Sequence, residues 1–547
     1  MQRRSFLAGT VFPFMGCDRL EEIEGGFTGI SQEYGHLLRG RKVWPAPSKV
    51  HKTRVVIAGA GVAGLAAARA LRLKGMDDFN LLELEAQAGG NSRSGVVNGI
   101  ACPLGAHYLP VPSDAAADVQ NMLEEMGLRQ RVAGRWVYDE RHLCHSPQER
   151  LFFNGEWQEG LLPLQDVGRE TVTQYQQFAA LVAQARRAGG WSVPSSREAP
   201  MPHVQALVTV TFEHYLSQNG LNDPHLRWYL NYCCHDDYGA GISTVSAWAG
   251  IHYFASRHGF SAPGEPGVDL FEKSNEREGV LTWPEGNGWL TRQLALPLQE
   301  RLYAGWLVAR IAVAKHGVQV DAFNPVSQTL ERWHAEACIV ALPVFVAARV
   351  IENPPEFLRH AAARTRYAPW LVANIHLRAS LQDRPGAPPS WDNVFHDAPA
   401  PSAHGASLGY VDAMHQSLQS VPGATVLTHY RALGDVPQGR KMLMDKPWTE
   451  WRDVILADFA RAHPDIAAKA TRIDITRYGH AMAVPVPATG RIRNPQLAAA
   501  GRLSFAHSDW AGYSVFEEAF TLGNMAAMAA MAAMAAVKAT GKAAGTL

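Results

Sequence analysis

The stretch "RVVIAGAGVAGLAAARALRLKGMDDFNLLELE", Arg54 to Glu85, constrains the fold more tightly than any other part of the chain. Val55, Val56 and Ile57 form a β-branched run of the kind that a parallel sheet buries on both faces. Gly59, Gly61 and Gly64 then spell G-x-G-x-x-G. The first glycine permits a tight turn, the second lets a pyrophosphate approach the backbone, and the third lets the next helix lie close to the strand. That helix is predicted from about Val62 to Lys74, with Ala63 in its first turn, Arg72 and Lys74 in its last, and Gly75 as its stop. Its N-terminus aims free N–H groups and a partial positive charge at the phosphates. The second strand, "NLLELE", carries Glu83 near the ~20-residue spacing at which a carboxylate accepts hydrogen bonds from an adenosine ribose. A carboxylate there opposes a 2′-phosphate, so FAD or NAD fits better than NADP.

At 547 residues the chain is long enough for two or three cores. Lys plus Arg and Asp plus Glu both number 51, so no overall field attracts nucleic acid, and no nucleic-acid partner is expected. The cysteines are Cys17, Cys102, Cys144, Cys233, Cys234 and Cys338, without paired C-x-x-C spacing. The consecutive residues Cys233 to Asp237 cannot easily aim at one ion, so no metal is expected.

The continuation separates FAD from NAD. "LLELEAQAGGNSRS" resembles the "LEA....GGR" segment of the flavin amine oxidase superfamily, which includes monoamine and polyamine oxidases, L-amino-acid oxidases and phytoene-desaturase-like enzymes. The resemblance implies that Glu83 holds the ribose and that Gly89 and Gly90 approach the cofactor. It gives Arg93, two positions after the family's arginine, a place at the pyrophosphate. "PLGAHYLP", Pro103 to Pro110, is similar to the family's loop near the flavin, with Gly105 and Ala106 in place. "GVLTWPEGNGWLTRQLA" and "GWLVARI" resemble a helix and a strand in which the backbone of Val308 meets adenine. "EACIVALPV" resembles a third strand, with Ala341 and Pro343. "LSFAHSDWAGYSVFEEAFTLGNMAA" resembles the closing segment, with Asp509 on the flavin chain and Glu517 and Gly523 at the family's spacing.

The fold so implied is α/β: a Rossmann-like FAD-binding domain assembled from three discontinuous segments, 53–115, 276–345 and 476–547, the last with a C-terminal helix. Two insertions, 116–275 and 346–475, are expected to form an α+β substrate domain. No cysteine follows Cys338, so the cysteinyl link of monoamine oxidases has no counterpart and FAD is expected to bind noncovalently. The reaction implied is hydride transfer from a small-molecule substrate, with an amine first among the candidates, to flavin N5 and then to O₂ or a quinone. A desaturase or dehydrogenase with a quinone or protein acceptor, and a flavin-binding module without turnover, stay open as alternatives.

Within the insertions, Trp248, His252, Tyr253 and Phe254 read either as a tunnel lining or as an aromatic core. The segment Pro369 to Leu377 lacks the lysine that many amine oxidases place there, which implies slow reoxidation by O₂. Val515 stands two residues before Glu517, where amine oxidases often have tyrosine, and Tyr513 lies two further upstream. No catalytic residue is assigned. His107, Tyr108 and Tyr513 are the candidates for polar substrate contacts, and His480 is a lesser one. The tail "NMAAMAAMAAMAAVKA" spreads its methionines around a helix, which is expected to pack under the FAD domain rather than cross a membrane.

The N-terminus, "MQRRSFLAGTVFPFMGC", places two arginines before an apolar run too short to span a bilayer. It resembles a twin-arginine export signal at Arg3, Arg4, Phe6 and Leu7, and a bacterial lipoprotein box at Gly16 and Cys17. The resemblance implies export of the folded, loaded protein by the twin-arginine machinery to the bacterial periplasm, with Cys17 as the candidate lipid anchor. Residues 1–30 are expected to be signal and flexible N-terminus.

Overall fold

The computed structural model describes residues 22–40, 43–198, 201–264, 279–396, 403–416, 423–487 and 501–544; Arg3, Arg4 and Cys17 lie outside them. The β-branched run becomes β3 (Val55–Ala58), with all four residues fully buried. It is central in a five-stranded parallel sheet ordered β7 (Leu302–Ala304), β4 (Phe79–Glu83), β3, β11 (Ala337–Val340) and β17 (Leu503–Phe505). Strands from near the start, middle and end of the chain thus share one sheet. Alternation feeds two cores. Val55 and Ile57 pack with α2 (Val62–Leu73) and α7 (Phe516–Ala544), whereas Val56 and Ala58 pack with α5 (Val344–Val350) and a second sheet. That second sheet is the antiparallel meander β8 (Leu307–Ala314), β9 (Gly317–Asn324) and β10 (Thr329–Ala335), edged in parallel by β2 (Lys49–Lys52).

Over Phe516–Val537, α7 has the length and hydropathy of a membrane span, yet half of that stretch is buried in the protein. Gly523 explains the packing, because a Cβ there would lie 2.2 Å from the carbonyl oxygen of Ala63 on α2. The two helices meet at backbone distance, so α7 is a core helix.

The second half of the molecule is an eight-stranded sheet ordered β1 (Glu24–Thr28), β16 (Ala470–Val484), β12 (Arg366–Leu377), β15 (Thr425–Ala432), β14 (Ala406–Asp412), β13 (Asp392–Phe395), β5 (Glu149–Phe153) and β6 (Glu156–Glu159). One face supports an aromatic helical core built with α3 (Pro224–Tyr238) and α4 (Ala247–Ala255). The other packs on the helix Trp448–Ala460. Two boundaries expected from the sequence are corrected here. Residues 24–28 are a strand paired in parallel with β16, not a flexible leader. The division between residues 475 and 476 falls inside β16, where Arg472 to Tyr478 keep unbroken ladder partners on β12 across it.

Candidate active site

A cavity of about 1310 Å³ runs from the C-terminal ends of β3 and β4 to the end of α3. That volume exceeds an ordinary small-ligand pocket of ~300–1,000 Å³, leaving room for a dinucleotide and a substrate together. At the outer end the walls are mostly backbone. Gly59 has φ +97°, and a Cβ there would meet the Ala341 carbonyl oxygen at 2.4 Å. Gly61 is the N-cap of α2 and offers no side-chain cap, which leaves the first N–H groups of that helix facing the cavity. Gly89 N–H donates to Ala60 O at 2.8 Å and draws the second glycine pair alongside. Glu83 accepts from Ala60 N at 2.9 Å and Glu85 N at 3.0 Å, one bond on each oxygen, so each keeps a free acceptor site. Burial raises its pKa, partly offset by those two N–H donors.

At the inner end the walls are side chains. The loop Pro103 to Pro110 is pinned from the eight-stranded sheet: Asn374 donates to Pro103 O at 3.1 Å, Tyr478 to Leu104 O at 2.8 Å and Tyr430 to Gly105 O at 2.9 Å. Those bonds present His107 and Tyr108 to the cavity. Burial pushes the His107 imidazole down to about 3, so it is neutral. Facing them is the end of α3, a helix started by Asp223, whose carboxylate caps His225 N and Leu226 N at 2.9 Å, and stopped by Gly239 in the left-handed region. Its last turn carries Asp236 and Asp237 into the cavity. Asp237 pairs with Arg257 at 2.9 Å. Asp236 is pushed up to about 7 by burial and by the Asp237 charge, with Arg257 and the Tyr108 hydroxyl acting the other way. Glu517, at the start of α7, is likewise raised to about 7 by burial.

The structure brings together Gly59, Gly61, Ala63, Glu83, Gly89, Gly90, Arg93, Gly105, Ala106, Val308, Asp509 and Glu517 around this one cavity, with His107, Tyr108, His480 and Val515. It separates two others. Gly64 lies behind the turn, where a Cβ would be 1.9 Å from Gly59 O, and its role is packing. Tyr513 is fully buried away from the cavity, donating to Glu518 at 2.7 Å and packed on Trp248 and His252. Trp248, His252 and Phe254 are correspondingly core residues with Tyr253 packed against that core, and none of the four lines the cavity. Arg93 lines the cavity but is engaged with Gly90 O at 3.1 Å and Glu85 at 3.5 Å. Sequence reasoning missed Asp236, Asp237 and Arg257 as a site. The signal available was two adjacent acids at a helix C-terminus, where the macrodipole disfavours them.

The donors fit FAD. The glycine turn and open helix N-terminus suit a diphosphate, Glu83 suits a ribose, and the Trp370 indole N–H and Asn287 amide oxygen are buried without partners on the same cavity. Residues 62–531 match the family described as flavin containing amine oxidoreductase. The chain belongs to that family. It is an FAD-dependent oxidoreductase acting on a small molecule. The chain is 24% identical over 436 residues to polyamine oxidase 4 of Oryza sativa subsp. japonica, covering 78% of this chain and 76% of that one. A 78-residue stretch, 14% of this chain and 15% of the other, is 36% identical to protoporphyrinogen oxidase 2 of Arabidopsis thaliana. Among solved structures, putrescine oxidase bound to putrescine superposes with TM-score 0.63 at 16% identity, over 88% of this chain and 100% of that chain. Cyclohexylamine oxidase from Brevibacterium oxydans gives 0.60 at 17%, over 87% and 98%. These likenesses establish the fold.

Proposed function

We propose that this flavoenzyme oxidises a small amine that enters as an ammonium ion, and that it holds FAD noncovalently. One observation carries the reading: among the described residues three carboxyls, Asp236, Asp237 and Glu517, share the inner end of the cavity with a single guanidinium, Arg257. Ionised carboxylates are costly to bury without cations. Asp236 and Glu517 therefore keep protons up to about pH 7, and a cationic ligand makes those protons dispensable. Trp370 and Tyr430 add aromatic faces on which an alkylammonium can rest. The FAD that these walls fit supplies the two-electron acceptor when bound. Asp236, raised to about 7 at the inner end of the cavity, is the group matched to take the proton an ammonium must lose before oxidation.

The direct test is anaerobic mixing of the holoenzyme with primary amines, diamines and amino acids. Bleaching of the flavin by an amine is expected, and its loss in Asp236→Asn would tie the effect to this site. Response only to uncharged allylic compounds would overturn the amine reading. Acid precipitation should leave the yellow colour in the supernatant. Lysine is missing from β12, which supports faster reoxidation by a quinone or dye than by O₂. Export through the twin-arginine route rests on Arg3 and Arg4, and normal fractionation of an Arg3→Lys, Arg4→Lys variant outside the cytoplasm would remove it.

A further inference from the structure

The outer mouth of the cavity is built by parts of the chain unrelated to the glycine motif. Helix α1 (Gln32–Gly40) lies across it and has no buried residue. It is fastened at both ends. Ser31 N and Oγ donate to the Glu85 carboxylate at 2.9 Å each, and Arg349 Nε donates to Leu38 O at 2.7 Å. Opposite lies α6 (Gly439–Asp445), whose Arg440 donates to Gly479 O at 2.7 Å. Arg39 and Arg440 both line the cavity, and neither has a carboxylate partner within 4.0 Å among the described residues. The nearby Lys441 is paired with Asp445.

We propose that Arg39 and Arg440 form an anion clamp over the diphosphate of the bound dinucleotide, with α1 holding Arg39 in place at the mouth. The clamp rests on the cofactor reading above. Both cations line the same cavity and feel one another's charge. Burial and then Arg39 lower the Arg440 pKa, and burial, Arg440 and Arg39 hold His480 down to about 4. Two guanidiniums at one mouth, with no carboxylate paired to either among the described residues, favour an anion between them, and a dinucleotide diphosphate supplies about two negative charges. Arg93, the arginine nearest the glycine motif, already spends bonds on Gly90 O and Glu85. The open N-terminus of α2 lines the same cavity and adds its own positive potential.

The test is the rate of FAD release from the holoenzyme, read as the rise of free-flavin fluorescence after dilution into excess ADP. Arg39→Gln/Arg440→Gln should release at least about tenfold faster than the parent, each single variant should fall between, and Arg39→Lys should recover most of the retention. The parent's release should quicken with salt, and the double variant's should not. Lys441→Gln, which removes a cation already paired, should release at the parental rate. Melting of the apoproteins checks that folding is intact. Gly61→Leu separates the two claims. If it empties the slot while the double variant releases like the parent, the clamp is wrong and the cofactor reading stands. If Gly61→Leu retains FAD, the slot assignment fails and takes the clamp with it.

Discussion

The two ends of the cavity are made of different material. The outer end is backbone: a left-handed glycine, an uncapped helix start and N–H groups fixed by the sheet behind them. The inner end is ionisable side chain: Asp236, Asp237, Arg257, Glu517 and Tyr108, brought from four separate stretches. Backbone donors carry no titrating charge and cannot be rotated away, and the arginines beside them stay charged, so the outer end should hold its ligand across a wide pH range. Carboxyls held near neutrality respond to every change of pH or of ligand charge, so selectivity and pH dependence should reside at the inner end.

The hardest break to that contrast is Gly64→Val, which drives a side chain into Gly59 O and should cost more than ~3 kcal/mol, with loss of bound flavin and of the cooperative melt together. Asp236→Asn should leave flavin content and melting near parental while lowering kcat/KM for an amine by roughly 100-fold, the scale of removing one partner from a buried charged contact. Parental kcat/KM in this variant would move substrate recognition elsewhere. Smaller is the pH effect. Ionised Asp236 and Glu517 bind an ammonium better, so KM for an amine should fall as pH rises through about 7, and Asp236→Asn should flatten the curve. The apoprotein should show the opposite sense. A carboxyl raised in the folded state loses stability as pH climbs from its unfolded value of ~4 to about 7 and changes no further above it, so melting should drop between pH 5 and pH 7.5. Tyr513→Phe is the smallest in function: Glu518 loses a donor, stability falls by about 1–2 kcal/mol, and turnover stays parental. A large drop in turnover would return Tyr513 to the site.

The same division explains what could be read in the sequence. Gly59, Gly61, Glu83 and the β-branched run lie within one βαβ unit, where spacing along the chain is spacing in space, and Glu83 meets the glycine turn through the Ala60 N–H. Asp236 and Asp237 belong to a site only because β12, β15 and β16 fold the Pro103 to Pro110 loop against the end of α3, a meeting of residues more than a hundred apart. Tyr513 misled for the complementary reason: it is close to Glu517 in sequence, but the turn before α7 sends the two side chains in different directions, one to the cavity and one to the aromatic core. Strand β1 carries no hydrophobic alternation, and its burial is slight, so only its partner reveals it.

The pairing of β1 with β16 has a consequence for synthesis. Glu24 lies beside Arg472, so nearly the whole polypeptide must leave the ribosome before the first ordered strand finds its neighbour. The floor of the nucleotide slot is finished equally late, by β17 at Leu503–Phe505. During translation the slot is therefore a half-built cleft without a lid, and such long-range closure is slow. FAD meets an open door until the strands Ala470–Val484 and Leu503–Phe505 arrive.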